Sequence, residues 1–181
     1  MSINIQKYEQ STFETCLAVC LLNVVGIKIS KKKEMEIINY ALNFSKYNFT
    51  LGHLDLIAKK FNVELNFYLD NKAYFNFVKK FKFSNKIKLF IHKIDLRLID
   101  KLIKISPIIV YIDSYFIYKI LHYPHFIIVI KKLNNGYKIF DPWDGKIKVI
   151  KKKILSKSII SLRNFLKFCP QIIQKYEMLP S

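Results

Sequence analysis

Hydrophobic positions along the chain change their period near its middle, and the change predicts a helical half followed by a sheet half. Cys16–Val25 is apolar on every face, as a buried helix would be, and Gly26 just beyond it fits a C-cap. Met35, Ile38, Ala41, Leu42 and Phe44 recur at near-helical spacing and predict a second helix over about 33–47. Thr50 reads as the N-cap of a third helix over 51–61, whose apolar stripe is Leu54, Ile57, Ala58 and Phe61. Val63, Leu65, Phe67 and Leu69 alternate and predict a strand. A short helix over 72–81, a second strand over 86–92 and a helix over 95–105 follow.

From Pro107 the pattern turns β-branched. Residues 108–112 form one run, 114–123 a Tyr/Phe-rich loop, and 125–133 a second run. Asn134-Asn135-Gly136 is a hairpin signal, because Asn and Gly tolerate the positive φ that tight hairpin turns use. Residues 137–140 then return as a strand, Asp141-Pro142-Trp143-Asp144-Gly145 supplies a turn, and 146–150 a third strand. Helical periodicity reappears weakly over 154–168. The order predicts an α+β fold in which the buried N-terminal helix packs on an antiparallel sheet. At 181 residues the chain is expected to be a single domain, with 151–181 as a C-terminal helical extension.

Composition narrows the function. A chain that is 51% hydrophobic and 24% charged is neither disordered nor collagen-like. Its net charge of +18, from 31 Lys+Arg against 13 Asp+Glu, would fit a polyanionic partner. The basic residues are nearly all Lys, however, and Ile, Asn, Phe and Tyr are also abundant, a bias that an AT-rich genome produces unaided. Lysine clusters at 31–33, 79–82 and 151–153 keep nucleic acid or an anionic surface as a possible partner without favouring it. The start, Met1-Ser2-Ile3-Asn4, lacks a signal-peptide pattern, and the apolar stretches fall short of the ~20 residues that span a bilayer. A cytoplasmic protein with reduced thiols and no transmembrane segment is expected. Cys16, Cys20 and Cys169 make no disulfide framework and no metal-ligand spacing, so no metal or cofactor is expected.

Cys16 stands in the first turn of its helix, where unpaired N–H groups and a partial positive charge favour a thiolate. Position alone leaves it open between a nucleophile and a small core residue. Cys20, one turn deeper, and Cys169, beside Pro170, read as packed thiols. Among the four histidines, His125 begins an apolar strand that would hold its imidazole at the sheet rim. His122 falls in the aromatic loop, His92 at a strand end, and His53 on the expected exposed face of a helix. The hairpin carries Asp141 back toward His125, within the ~4.5–5.5 Å Cβ spacing of cross-strand neighbours. Asp144 fits turn chemistry better. Gln10, six positions before Cys16, could donate its amide to an oxyanion beside the Cys16 N–H.

Gln10-Ser11-Thr12-Phe13-Glu14-Thr15-Cys16, followed by Leu17-Ala18-Val19-Cys20-Leu21-Leu22, resembles the Gln-x5-Cys segment and nucleophile helix of the C39-like cysteine peptidases, a branch of the papain-like superfamily. Residues 50–61 are similar to the family's second helix, and 107–112 to its strand before the histidine. His125-Phe126-Ile127-Ile128-Val129 resembles its histidine strand, and Phe140-Asp141-Pro142-Trp143-Asp144-Gly145 its Asp-Pro turn. The resemblance covers about 10–150. It implies a papain-like fold, with Cys16 as nucleophile, His125 as general base and acid, Asp141 orienting the imidazole, and Gln10 in the oxyanion hole. One departure is local: the family usually has Asp-Cys-Gly where this chain has Thr15-Cys16-Leu17. Many members cut leader peptides after a double glycine as parts of transporters, and this chain is expected to be a stand-alone member. The resemblance implies a thiol protease acting on a peptide or protein substrate. Amidase or transpeptidase chemistry on the same triad is one alternative. A degenerate domain whose basic surface binds nucleic acid or an acidic partner is another.

Overall fold

The computed structural model describes residues 4–44 and 48–176. Over these the chain runs α1 (Cys16–Val25), α2 (Lys31–Phe44), α3 (Phe49–Lys60), β1 (Leu65–Leu69), α4 (Lys72–Val78), β2 (Ile87–Ile91) and α5 (Leu96–Leu102). It continues through β3 (Ile108–Asp113), α6 (Tyr115–Tyr118), β4 (Pro124–Leu133), β5 (Gly136–Asp141), β6 (Lys146–Lys151), α7 (Lys152–Asn164) and β7 (Gln171–Lys175). The strands form one sheet in the order β2-β1-β7-β3-β4-β5-β6, and the architecture is α+β. The sheet is mixed, where a purely antiparallel one was expected: β1 and β2 pair in parallel, Leu65 opposite Ile87. Helix α4 lies between them and returns the chain to the same end, which makes the next strand parallel.

Helix α1 is buried around nearly its whole circumference, consistent with its apolar sequence, and packs with α3 against one face of the sheet through Leu21, Leu54, Ile109, Phe126 and Ile128. Gly26 closes it at φ 76°, its N–H bonded to Asn23 O at 3.0 Å. The opposite face is covered by α5 and α7, whose Ile99, Leu155 and Ile159 meet Val110, Ile127 and Ile139. Each such side chain contributes about 1.5–3 kcal/mol through burial.

Several sequence expectations are corrected. Helix α3 is capped by Asn48, whose Oδ1 accepts the Leu51 N–H at 3.1 Å, rather than by Thr50. Asn is at least as strong a cap as Thr, and its carbonyl reaches the third helical N–H. The hairpin forms, with Leu133 opposite Gly136, yet Asn134, Asn135 and Gly136 all lack left-handed φ. Glycine is required at 136 for a different reason: a Cβ there would collide with the Ile150 carbonyl of the neighbouring strand. The tail is not simply helical. After α7 the chain re-enters the sheet as β7, between β1 and β3. Its buried polar residues hid it: Gln174 donates to Leu102 O at 2.9 Å and to Ser106 Oγ at 3.0 Å, satisfying an amide where alternation would demand an apolar side chain. The expected last turn of α2 (45–47), the first three residues of the start and the end of the tail (177–181) lie outside the described residues. Among the described residues no helix is long and apolar enough to cross a membrane.

Candidate active site

The segment before α1 is strapped across the turn that follows β5. Gln10 N–H donates to Pro142 O at 2.8 Å. Gly145, at φ 64°, faces this segment so closely that a Cβ would fall 2.8 Å from Glu9 N. The chain then turns at Thr12–Thr15, where Thr15 Oγ1 accepts the Thr12 N–H at 3.2 Å and donates to Thr12 O at 2.9 Å. Thr15 precedes α1 in the N-cap position, but its side chain caps no helical N–H, and no acidic residue stands in the first turn. The amides and partial positive charge at Cys16 are therefore not neutralised by the side chains of the cap or of that turn.

His125 and Asp141 meet across β4 and β5. Phe140 pairs with Ile128, and a bulge between Val129 and Lys131 shifts the register behind them. Asp141 thus leaves the ladder short of His125 and reaches it diagonally, His125 Nε2 to Asp141 Oδ1 at 2.9 Å. Both residues are buried. The same Oδ1 accepts the Trp143 N–H at 3.0 Å, which ties the Asp-Pro turn to the pair. Burial opposes the charge on Asp141, but the His125 hydrogen bond and charge, the Tyr118 hydroxyl and Lys148 hold its carboxyl well below the usual carboxylate range. Burial likewise disfavours protonated His125. Hydrogen bonding and charge from Asp141 and Cys16 outweigh it and raise His125 to about 9.

With Nε2 engaged by Asp141, Nδ1 of His125 is buried and has no hydrogen-bond partner. Cys16 is the other group besides Asp141 that raises its proton affinity. The thiol thus lies near the His125 ring, whose second nitrogen is unpartnered. Cys16 itself is 6% exposed. Cys20 is fully buried, its Sγ 3.6 Å from Phe126 O, and burial pushes its thiol well up. Gln10 donates one amide hydrogen to Thr12 O at 2.7 Å, and its Oε1 is buried without a partner.

Three residues that the sequence reading passed over complete the constellation. Tyr118 donates to Asp141 Oδ2 at 2.6 Å. Lys148 Nζ donates to Tyr118 Oη at 2.8 Å and lies 3.4 Å from Asp141 Oδ2 and 2.9 Å from Asp144 Oδ2. Trp143 meets the His125 ring edge-on at 6.3 Å and the Phe13 ring at 4.6 Å. Lys148 stands seven residues after Asp141 on the next strand, a spacing that hairpin geometry could have flagged. Tyr118 ends α6, a one-turn helix within the stretch 114–123 expected to be a loop, and carries no local signal.

The remaining histidines lie elsewhere. His53 is buried rather than exposed, its Nδ1 2.8 Å from Phe49 O, and burial lowers it to about 4. His122 Nδ1 bonds Asp113 Oδ2 at 2.6 Å and its ring stacks on Tyr115, so it forms a separate pair. His92 is exposed beyond β2. The lysine clusters lie on separate elements, at the start of α2, after α4 and across the β6–α7 junction. Among the described residues no group of three or more His, Cys, Asp or Glu could hold a metal ion. No protein-family model matches the chain, and no curated protein matches it in sequence.

Proposed function

We propose that this protein is a cysteine peptidase of papain-like architecture, akin to the C39-like peptidases, cutting a peptide or protein substrate. The observation that carries the reading is one buried imidazole whose Nε2 engages Asp141 and whose Nδ1 is unpartnered, with the thiol of a helix N-terminus near the ring. In this reading the Cys16 thiolate attacks the peptide carbonyl carbon and forms an S–C bond. The oxyanion is met by the Cys16 N–H and by the amide hydrogen of Gln10 that Thr12 does not take. Imidazolium at His125 passes its proton to the leaving amine as the C–N bond breaks. Water, deprotonated by the now neutral imidazole, then attacks the thioester carbonyl; the C–S bond breaks, the acid product leaves and the thiolate–imidazolium pair is restored. Leader-peptide processing is one form of this reaction, and three free cysteines suit a reducing, cytoplasmic setting.

The test is iodoacetamide alkylation of Cys16, located by peptide mass, in wild type and His125→Ala. The reading expects alkylation at neutral pH to slow by at least about tenfold in the variant, since the imidazolium favours thiolate. Equal rates would overturn it. Added amine nucleophiles separate hydrolysis from transpeptidation, because only the latter yields ligated product as the main outcome.

A further inference from the structure

Two largely apolar clefts adjoin at Phe13 and Tyr123, one reaching His125 and the other Cys16. One, of about 140 Å³, is lined by His125 together with Phe13, Tyr118, Leu121, Tyr123 and Trp143. The other, of about 390 Å³, is lined by Cys16 together with Leu17, Leu42, Phe49, Tyr111 and Phe126, with Glu14 as its one charged residue. Phe13 and Tyr123, whose rings meet edge-on at 5.9 Å, line both and join them. Several rim residues are open to solvent although apolar: Phe13 is 56% exposed, Leu42 56% and Leu121 57%. Exposed apolar surface gathered around one site marks a place where something apolar binds.

Reaction geometry assigns each cleft a side of the scissile bond. Sulfur bonds to the carbonyl carbon, so the acyl portion of a substrate extends along the Cys16 side. The proton donor must reach the amine nitrogen, so the leaving portion extends past His125. Leu17, 2% exposed and beside the nucleophile, fills space that a smaller residue would leave open. An apolar cavity of about 150 Å³ holds one benzene-sized group. The His125 cleft matches one such side chain, and the Cys16 cleft has room for a larger one or for two.

We propose that the substrate carries bulky apolar side chains on both sides of the bond to be cut, the acyl-side residue in the Leu17–Phe49 cleft and the leaving-side residue in the Trp143 cleft. This rests on the peptidase reading above. A residue without a side chain would leave both clefts wetted and their apolar walls exposed, which forfeits the binding that raises kcat/KM.

The acyl side is tested with two irreversible probes, acetyl-Ala-Ala-Phe vinyl sulfone and acetyl-Ala-Ala-Gly vinyl sulfone, each scored by the rate of mass gain at Cys16. The proposal expects the Phe probe to label at least about tenfold faster, in line with the selectivity of apolar pockets. Equal rates, or faster labelling by the Gly probe, would overturn it. Leu42→Ser, at the exposed rim, should shrink the Phe-over-Gly ratio, and an unchanged ratio would count against the assigned cleft. The leaving side is tested by trapping the acyl-enzyme formed from acetyl-Ala-Ala-Phe thiobenzyl ester with leucinamide or glycinamide. Capture by leucinamide should exceed that by glycinamide about tenfold, and equal capture would overturn that half. Iodoacetamide carries no such side chain. His125-dependent alkylation with no Phe preference would therefore sink the specificity alone, whereas alkylation indifferent to His125 would sink the peptidase reading.

Discussion

The Tyr118 hydroxyl donates to Asp141 Oδ2 at 2.6 Å, on the carboxylate oxygen that His125 does not use. Burial and the Asp141 charge both raise the phenol, so it stays a donor across the working pH range. Asp141 is thereby held from both sides, His125 on one oxygen and Tyr118 on the other, and the imidazole inherits that fixed geometry.

Tyr118→Phe keeps the ring that lines the leaving-side cleft and removes only the hydroxyl. A hydrogen bond to a charged group is worth about 1.5–3 kcal/mol. We expect kcat to fall by about tenfold or more with KM little changed, because the loss is in orientation rather than binding. A change confined to KM would contradict the positioning role.

Asp141→Asn should remove most activity, by about a hundredfold or more, since an amide can present the wrong partner to Nε2. Asp144, expected from sequence to be mere turn chemistry, also pairs with Lys148 at 2.9 Å. Asp144→Asn should therefore cost a few-fold, far less than Asp141→Asn, measured as kcat/KM on one peptide. Equal losses would mean that the Lys148 network, not the direct His125 contact, controls the site.

The pH dependence of stability has a definite sign. His125 is raised from 6.5 to about 9, so its charged form stabilises the fold fully below about 6.5, and that contribution is lost as pH rises through about 9. Asp141 is lowered from 3.8, so its contribution is present above that value and lost as pH falls below it. The difference in thermal midpoint between wild type and Asp141→Asn should be widest between about pH 4 and 6.5 and should narrow toward pH 9. Widening from pH 7 to 9 would refute the assignment.

Cys16→Ala should abolish hydrolysis and leave the unfolding midpoint nearly unchanged. Cys20→Ala should do the reverse: it empties a fully buried site and should cost about 1–2 kcal/mol, read by chemical denaturation, while Cys16 stays in place.

Gly145→Ala tests the strap. The added methyl would fall 2.8 Å from Glu9 N at a left-handed φ of 64°, so the segment carrying Gln10 must lift from the turn. Strain of this kind costs about 1–3 kcal/mol. A drop in both stability and kcat is expected, and wild-type kinetics would show that Gln10 does not need the strap.

How much could be read in advance differed by element. Helix α1 was legible because ten consecutive residues with almost no polar group allow no exposed face. Strands β3 and β4 were legible from β-branched runs, and the His125–Asp141 approach from the short connection between β4 and β5. Strand β7 was not, since two buried glutamines broke its pattern, and the groups that satisfy the Gln174 amide come from distant elements. His53 was misplaced because the packing that covers it belongs to tertiary structure, although its carbonyl partner Phe49 lies one turn back in the same helix.

The sequence by itself determined the local elements and where in them the candidate side chains stand: a cysteine opening an apolar helix, a histidine opening an apolar strand, an aspartate ending its hairpin partner. Those follow from periodicity and short connections, which act over a few residues. Tertiary structure alone decided which nitrogen of His125 remains open, that Tyr118 and Lys148 brace Asp141 from the far side, and that Phe13 and Tyr123 join the cleft at His125 to the cleft at Cys16. Each of these joins groups from separate elements, and their positions depend on sheet register and helix packing that no local pattern encodes.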